Sequence, residues 1–159
     1  MKKYIGAHVS AAGGAWKAFE RAEAIGAEAF QIFGASPRAW KVKQPSEEDY
    51  QKFNDTRKES SVDGPVFLHA SYLVNLGSPN NRIFHGGITN LTAHYEICNG
   101  LGAEGIMFHI GSWKDTTREE GIANVVKGTK KVLEAVEGES KLLLENSAGG
   151  GNKIGVEIE

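Results

Sequence analysis

The chain has 159 residues, 40% of them hydrophobic and 24% charged, which suffices for one ordinary domain with its own core. Its apolar runs stay well short of the roughly 18 residues of a membrane-spanning helix, so no membrane partner is expected. The formal net charge of −2 excludes a whole-chain electrostatic footprint for nucleic acid and leaves only a local basic patch open.

The amino terminus, Met1-Lys2-Lys3-Tyr4-Ile5, starts basic but lacks the apolar stretch of a signal peptide. The one cysteine, Cys98, excludes an internal disulfide framework and fits a reducing compartment, so a cytoplasmic location is expected. Tyr4–Val9 reads as a first strand, broken by Ser10 to Gly14. A helix over Ala15–Ile25 carries Trp16, Phe19, Ala22 and Ile25 at helical spacing, with Gly26 as its terminating residue. Ala29–Phe33 is a second strand, followed by a polar loop, Gly34 to Gln44, holding Pro37-Arg38-Ala39-Trp40. Pro45-Ser46-Glu47-Glu48 opens a second helix that runs to about Ser60, and Asp63-Gly64 turns the chain. Val66–His69 is a third strand with a loop to about Asn80. A third helix spans roughly Asn81 to Leu101 and is weakened near its start by Gly86-Gly87, at about 1 kcal/mol per glycine against alanine. His85 and His94 are expected on its surface. Gly105–His109 is a fourth strand. An amino-terminal cap lies within Asp115–Glu120, and the helix after it has Ile122, Val125, Val126, Val132, Leu133 and Val136 as its apolar set. Lys141–Glu145 is a fifth strand, followed by a glycine-rich loop, Ala148 to Asn152. Val156-Glu157-Ile158-Glu159 looks like the opening of another element.

This strand–helix alternation predicts an α/β fold with a parallel sheet. Five strands suit an open doubly wound sheet or part of a barrel. The stop just after the fifth strand favours a TIM-barrel type, an incomplete barrel with about five parallel strands in a single domain over 1–159. Strands one and five would then have unpaired edges and the inner face no opposing half. Exposed edges and apolar faces invite association, so a homodimer, a complementary C-terminal fragment or marginal stability is expected.

Three of these strands end in a metal-capable side chain: His69, His109 and Glu145. They are 40 and 36 residues apart, about one strand–helix unit each. In a barrel all carboxyl strand ends lie on one face, so the three can converge there. Two histidines and a glutamate are an open zinc set that leaves a position for water. The plainer reading makes the histidines half-buried polar caps and pairs Glu145 with a lysine or arginine. His8, also at a strand end, is either an outer partner of such a site, a phosphate contact, or an ordinary hydrogen-bonded histidine. Arg38 beside Trp40 suits contact with a nucleic-acid backbone or base, and equally anchors a loop. Tyr72-Leu73 forms either an apolar wedge for a minor groove or a cover over the barrel mouth. Gly149-Gly150-Gly151 has no following Gly-Lys-Ser/Thr, so nucleotide binding is not expected.

Five stretches together resemble the successive motifs of the endonuclease IV family. They are Gly6-Ala7-His8-Val9-Ser10-Ala11-Ala12-Gly13-Gly14, Pro37-Arg38-Ala39-Trp40, His69 to Gly77, His109-Ile110-Gly111-Ser112, and Leu144-Glu145-Asn146-Ser147-Ala148-Gly149. The resemblance implies a TIM barrel with a three-zinc (Zn2+) cluster at its C-terminal face and damaged double-stranded DNA as partner. It also implies hydrolysis of the phosphodiester 5′ to abasic sites by zinc-activated hydroxide. His69 and His109 match ligands of one zinc, and Glu145 matches the carboxylate bridging it to a second, a catalytic position. Arg38, Tyr72 and Leu73 match loop residues that enter DNA. The sequence departs from the pattern in places: Ile110 stands where proline is usual, Trp113 where histidine is usual, and Ala70 replaces a common acidic residue. The later ligand motifs of the family are absent, so a full protein ligand set remains for one zinc. Two alternatives follow: a truncated, weakly active or inactive metal- and DNA-binding fragment, and a sugar isomerase or epimerase-like barrel.

Overall fold

A computed structural model describes residues 2–157. Among these residues five strands alternate with four helices in chain order: β1 (Gly6–His8), α1 (Lys17–Ala24), β2 (Ala29–Phe33), α2 (Glu47–Glu59), β3 (Val66–His69), α3 (Asn81–Gly100), β4 (Gly105–His109), α4 (Arg118–Ala135) and β5 (Lys141–Glu145). The strands form one sheet in the order β1-β2-β3-β4-β5, every pair parallel. This is the incomplete TIM-type barrel expected from the alternation. Of the terminal stretch expected to open another element, Val156 and Glu157 have no regular structure, and Ile158-Glu159 lie outside the described residues.

Period-two alternation sorts the strand residues by face. Phe30, Ile32, Val66, Leu68, Ile106 and Phe108 are buried under the helices. Their alternates Gln31, Phe67, Met107 and Leu143 are only half-buried, on the inner face. Each large side chain removed from water contributes about 1.5–3 kcal/mol, so the outer layer holds the sheet together. Phe19 and Phe53 bring α1 and α2 onto it, with Phe19 edge-on to Phe30 at 4.9 Å. α1 buries Phe19 and Ala22 as its spacing predicts, but Ile25 at its end is exposed.

The helix starts follow capping chemistry. Ser46 caps α2 and Thr117 caps α4, each with a reciprocal bond from the residue three on, Asp49 and Glu120. α3 runs unbroken through Gly86-Gly87, because both glycines are contact points. Gly86 lies under the Trp40 indole and Gly87 against Leu76. In α4 the buried face is Gly121, Val125, Gly128 and Val132, while Ile122, Val126 and Leu133 face solvent. The apolar set read from sequence therefore holds only in part. Gly128 lets the helix settle on Leu76 and Phe84, a close approach that apolar periodicity does not register. The expectation that His94 lies on the surface is also wrong. It is fully buried, and burial holds its pKa below the usual histidine value. His85 is exposed, as expected.

Candidate metal centre

Register brings three side chains together at the carboxyl edge of β3, β4 and β5. His109 and Glu145 are direct neighbours across β4 and β5, and His69 sits one strand further on. One ligand atom from each lies within 4.8 Å of the other two. The His69 Nδ1 stands 2.7 Å from the Ala70 carbonyl oxygen. A carbonyl only accepts, so Nδ1 carries the proton and donates it there. In neutral His69 the Nε2 lone pair then points at the Glu145 Oε2, 2.8 Å away. Two acceptors at that distance repel unless a cation, proton or metal, lies between them. The His109 Nε2 is 3.5 Å from the same carboxylate oxygen.

This donor set fits a divalent metal. Ligand atoms around one tetrahedral zinc stand roughly 3.3 Å apart, between the two contacts seen here. The Ala70 carbonyl supplies the outer hydrogen bond that fixes a metal-binding imidazole's tautomer and orientation. His69 is 6% exposed, whereas the side chains of His109 and Glu145 are 51% and 41% exposed. One ligand is thus anchored in the core and two open to solvent, which leaves a face for water or substrate.

Tyr72 stands over the cluster, its ring edge-on to His69 at 5.6 Å and to His109 at 5.5 Å. Its own ring is half-exposed, and Leu73 beside it is half-buried. The exposed Arg38 reaches the same rim through backbone bonds: Tyr72 N–H and Ser71 Oγ both donate to the Pro37 carbonyl, at 3.0 and 2.9 Å. Asn90 Nδ2 holds the Ala39 and Trp40 carbonyls, which leaves the Trp40 indole 46% exposed on top of α3. His8 is not part of the cluster. Its Nδ1 is 2.8 Å from the Gln31 Oε1, and Phe33 separates its ring from His69.

A cleft of about 400 Å³ opens beside His109 and Glu145, lined also by Tyr72, Asn75, Ser112 and Lys153. A larger apolar hollow, about 880 Å³, lies beyond His8 between the β1–α1 and β2–α2 loops and shares His8, Phe33 and Pro37 with the rim region. The smaller cleft is the one that meets the ligand atoms. Sequence reasoning missed Asn75, Ser112 and Lys153. Asn75 and Ser112 lie inside two of the motif stretches, but nothing local shows that their loops touch. Lys153 reaches the rim only because Trp113 N–H donates to the Asn152 carbonyl and Ile154 N–H to the Gly111 carbonyl, folding the last loop back.

Residues 19–159 match the family described as xylose isomerase-like TIM barrel. A protein of Aquifex aeolicus named probable endonuclease 4 is 40% identical over 152 residues, covering 95% of this chain and 53% of its own. The crystal structure of endonuclease IV from Thermus thermophilus superposes with a TM-score of 0.85 at 37% identity, over 97% of this chain and 55% of that one. A D-tagatose 3-epimerase-like protein shares the fold at 18% identity and a TM-score of 0.70, over 94% of this chain and 56% of its own. The endonuclease IV resemblance read from the motifs therefore extends across nearly the whole chain. The chain spans about half the length of the curated relatives it matches.

Proposed function

The chain belongs to the xylose isomerase-like TIM-barrel family, and from that premise we propose that it is the N-terminal part of a metal-dependent DNA-repair endonuclease barrel acting on abasic DNA. The observation that carries this reading is the Nε2–Oε2 contact of 2.8 Å between His69 and Glu145, with His109 beside it, at a rim that also bears Arg38, Tyr72 and Leu73. His69, His109 and Glu145 would hold a divalent ion, zinc on the resemblance. When bound, zinc supplies Lewis acidity toward a phosphodiester and a water acidic enough to ionise near neutral pH.

The chain's own groups do the rest. The Ala70 carbonyl holds the His69 Nδ1–H, so Nε2 is the nitrogen that faces Glu145 and would ligate the ion. The Glu145 carboxylate offsets the ion's charge and accepts from whatever donor approaches the open face. Arg38 positions a phosphate by charge, and the exposed Tyr72 ring with Leu73 offers an apolar edge for an unstacked nucleotide step. His8, at the sheet edge, is a further phosphate contact. With a net charge of −2, affinity for DNA must come from the ion and these few rim groups rather than from overall charge.

Leu144 on β5 and Ile122, Val126 and Leu133 on α4 are exposed apolar side chains. They support the reading that further barrel units, from a C-terminal fragment or a second copy, cover this side. The sugar-epimerase alternative draws only on the shared fold. Among the described residues no helix is long and apolar enough to cross a membrane. A cytoplasmic setting rests on Cys98 being a single free cysteine, with no disulfide framework among the described residues.

Metal content per chain, by plasma mass spectrometry after dialysis, comes first, followed by nicking of an abasic duplex. About one zinc per chain with little nicking is expected of this segment alone. About three would mean that ligands come from a second chain, and nicking should then be strong. No zinc would sink the metal-centre reading. Light scattering decides the association question, since a clean monomer that melts cooperatively would contradict it.

A further inference from the structure

We propose that Asn75 is a positioning residue that sets the spacing of the metal ligands by tying the loop after His69 to the loop after His109. This rests on the metal-site reading above. The Asn75 Oδ1 accepts from Gly77 N–H at 3.1 Å, within its own loop, and from Ser112 N–H at 2.9 Å, in the loop after β4. Two N–H donors fix that atom as the oxygen, and the Nδ2 then donates to the Ser112 Oγ at 3.3 Å. One side chain thus joins the two segments that leave the histidine-bearing strands.

The surrounding backbone is shaped to admit it. Gly111 sits at φ +116°, and a Cβ there would overlap the Asn75 carboxamide oxygen. Gly77 packs so that a Cβ would stand 2.8 Å from the Ser112 carbonyl oxygen. The chain continues from this tie to the third ligand. Ile154 N–H donates to the Gly111 carbonyl at 3.0 Å, and Ser147 N–H, two residues beyond Glu145, to the Gly155 carbonyl at 2.8 Å. The loops that follow His69, His109 and Glu145 are therefore linked in series, with the Asn75 side chain joining the first two. Asn75 carries no charge and is not itself a ligand. It acts through the backbone.

The test is cobalt and zinc titration of the full chain as wild type, Asn75→Ser and Asn75→Asp. Serine keeps the local turn to residue 77 but cannot reach Ser112, so this variant folds and lacks only the tie. Zinc affinity by chelator competition should fall about tenfold or more, and the visible cobalt spectrum should shift, with the metal-free melting curve little changed. Aspartate retains the acceptor oxygen and should restore the wild-type spectrum. Wild-type affinity and spectrum in Asn75→Ser would overturn the proposal. A wild-type chain that binds neither metal would instead overturn the metal-site reading itself.

Discussion

His69 and His94 are both buried, and both donate Nδ1–H to a backbone carbonyl, Ala70 at 2.7 Å and Asn90 at 2.9 Å. They differ at the other nitrogen. The His69 Nε2 meets the Glu145 carboxylate at the rim, where His109 also arrives. The His94 Nε2, inside the layer between α3 and the sheet, has no partner among the described residues. Burial and a tethered ring are therefore common to a histidine enclosed in the core and one at the candidate metal centre. What makes the difference is that three strand ends deliver their donors to one point, while a helix face delivers its histidine among Leu68 and Gly34.

Breaking that distinction at the rim should have the largest effect. Glu145→Ala removes the carboxylate of the cluster and should weaken zinc by more than the roughly 100-fold that loss of an outer partner costs. Chelator competition measures this, and metal-free melting should barely change, because the Glu145 side chain is 41% exposed. His94→Leu should do the opposite. Metal affinity should stay within about twofold, while stability at pH 7 holds or rises by about 1 kcal/mol, since an orphaned polar atom leaves the core.

The same residue predicts a pH signature. Burial lowers the folded-state pKa of His94 from the ordinary 6.5, so the unfolded chain takes up the proton first. Stability is fully present above about pH 6.5 and is lost as pH falls below it. In His94→Leu that slope should vanish from thermal melts. A second, lower loss begins at the ordinary carboxylate values, because Glu23, Asp49 and Glu120 are held below them by hydrogen bonds from Ser60, Ser46 and Thr116 respectively. The smallest effect is expected at Gly86. Alanine there gains about 1 kcal/mol of helix propensity, but its Cβ would meet the Trp40 ring at 3.1 Å. The gain should appear in full only with Trp40→Ala beside it, and neither change should move metal affinity.

The strands, the parallel alternation and the convergence of His69, His109 and Glu145 were legible in the sequence, because each rests on short-range pattern and on strand-end position. His94 was legible only through spacing, not through its own polarity: Leu91, Ile97 and Cys98, three and four residues away on α3, share its buried face. The α4 apolar set misled because Gly121 and Gly128, not Ile122 and Leu133, mark the contact face: close approach needs small residues, which hydrophobic spacing does not count. The hydrogen-bonded linkage from Asn75 through Ser112 to the loop beyond Glu145 was equally hidden, since its members are distant in sequence.

The sequence by itself determined which side chains can ligate, because histidine and glutamate carry that chemistry wherever they stand, and it set their strand-end placement by apolar periodicity. Only the tertiary structure decided that His69 presents Nε2 rather than Nδ1, that Tyr72 covers the cluster while His8 is held apart by Phe33, and that three loops are bound into one rim. Those outcomes depend on hydrogen-bond directions and contacts of a few ångströms between remote segments, which local sequence does not encode.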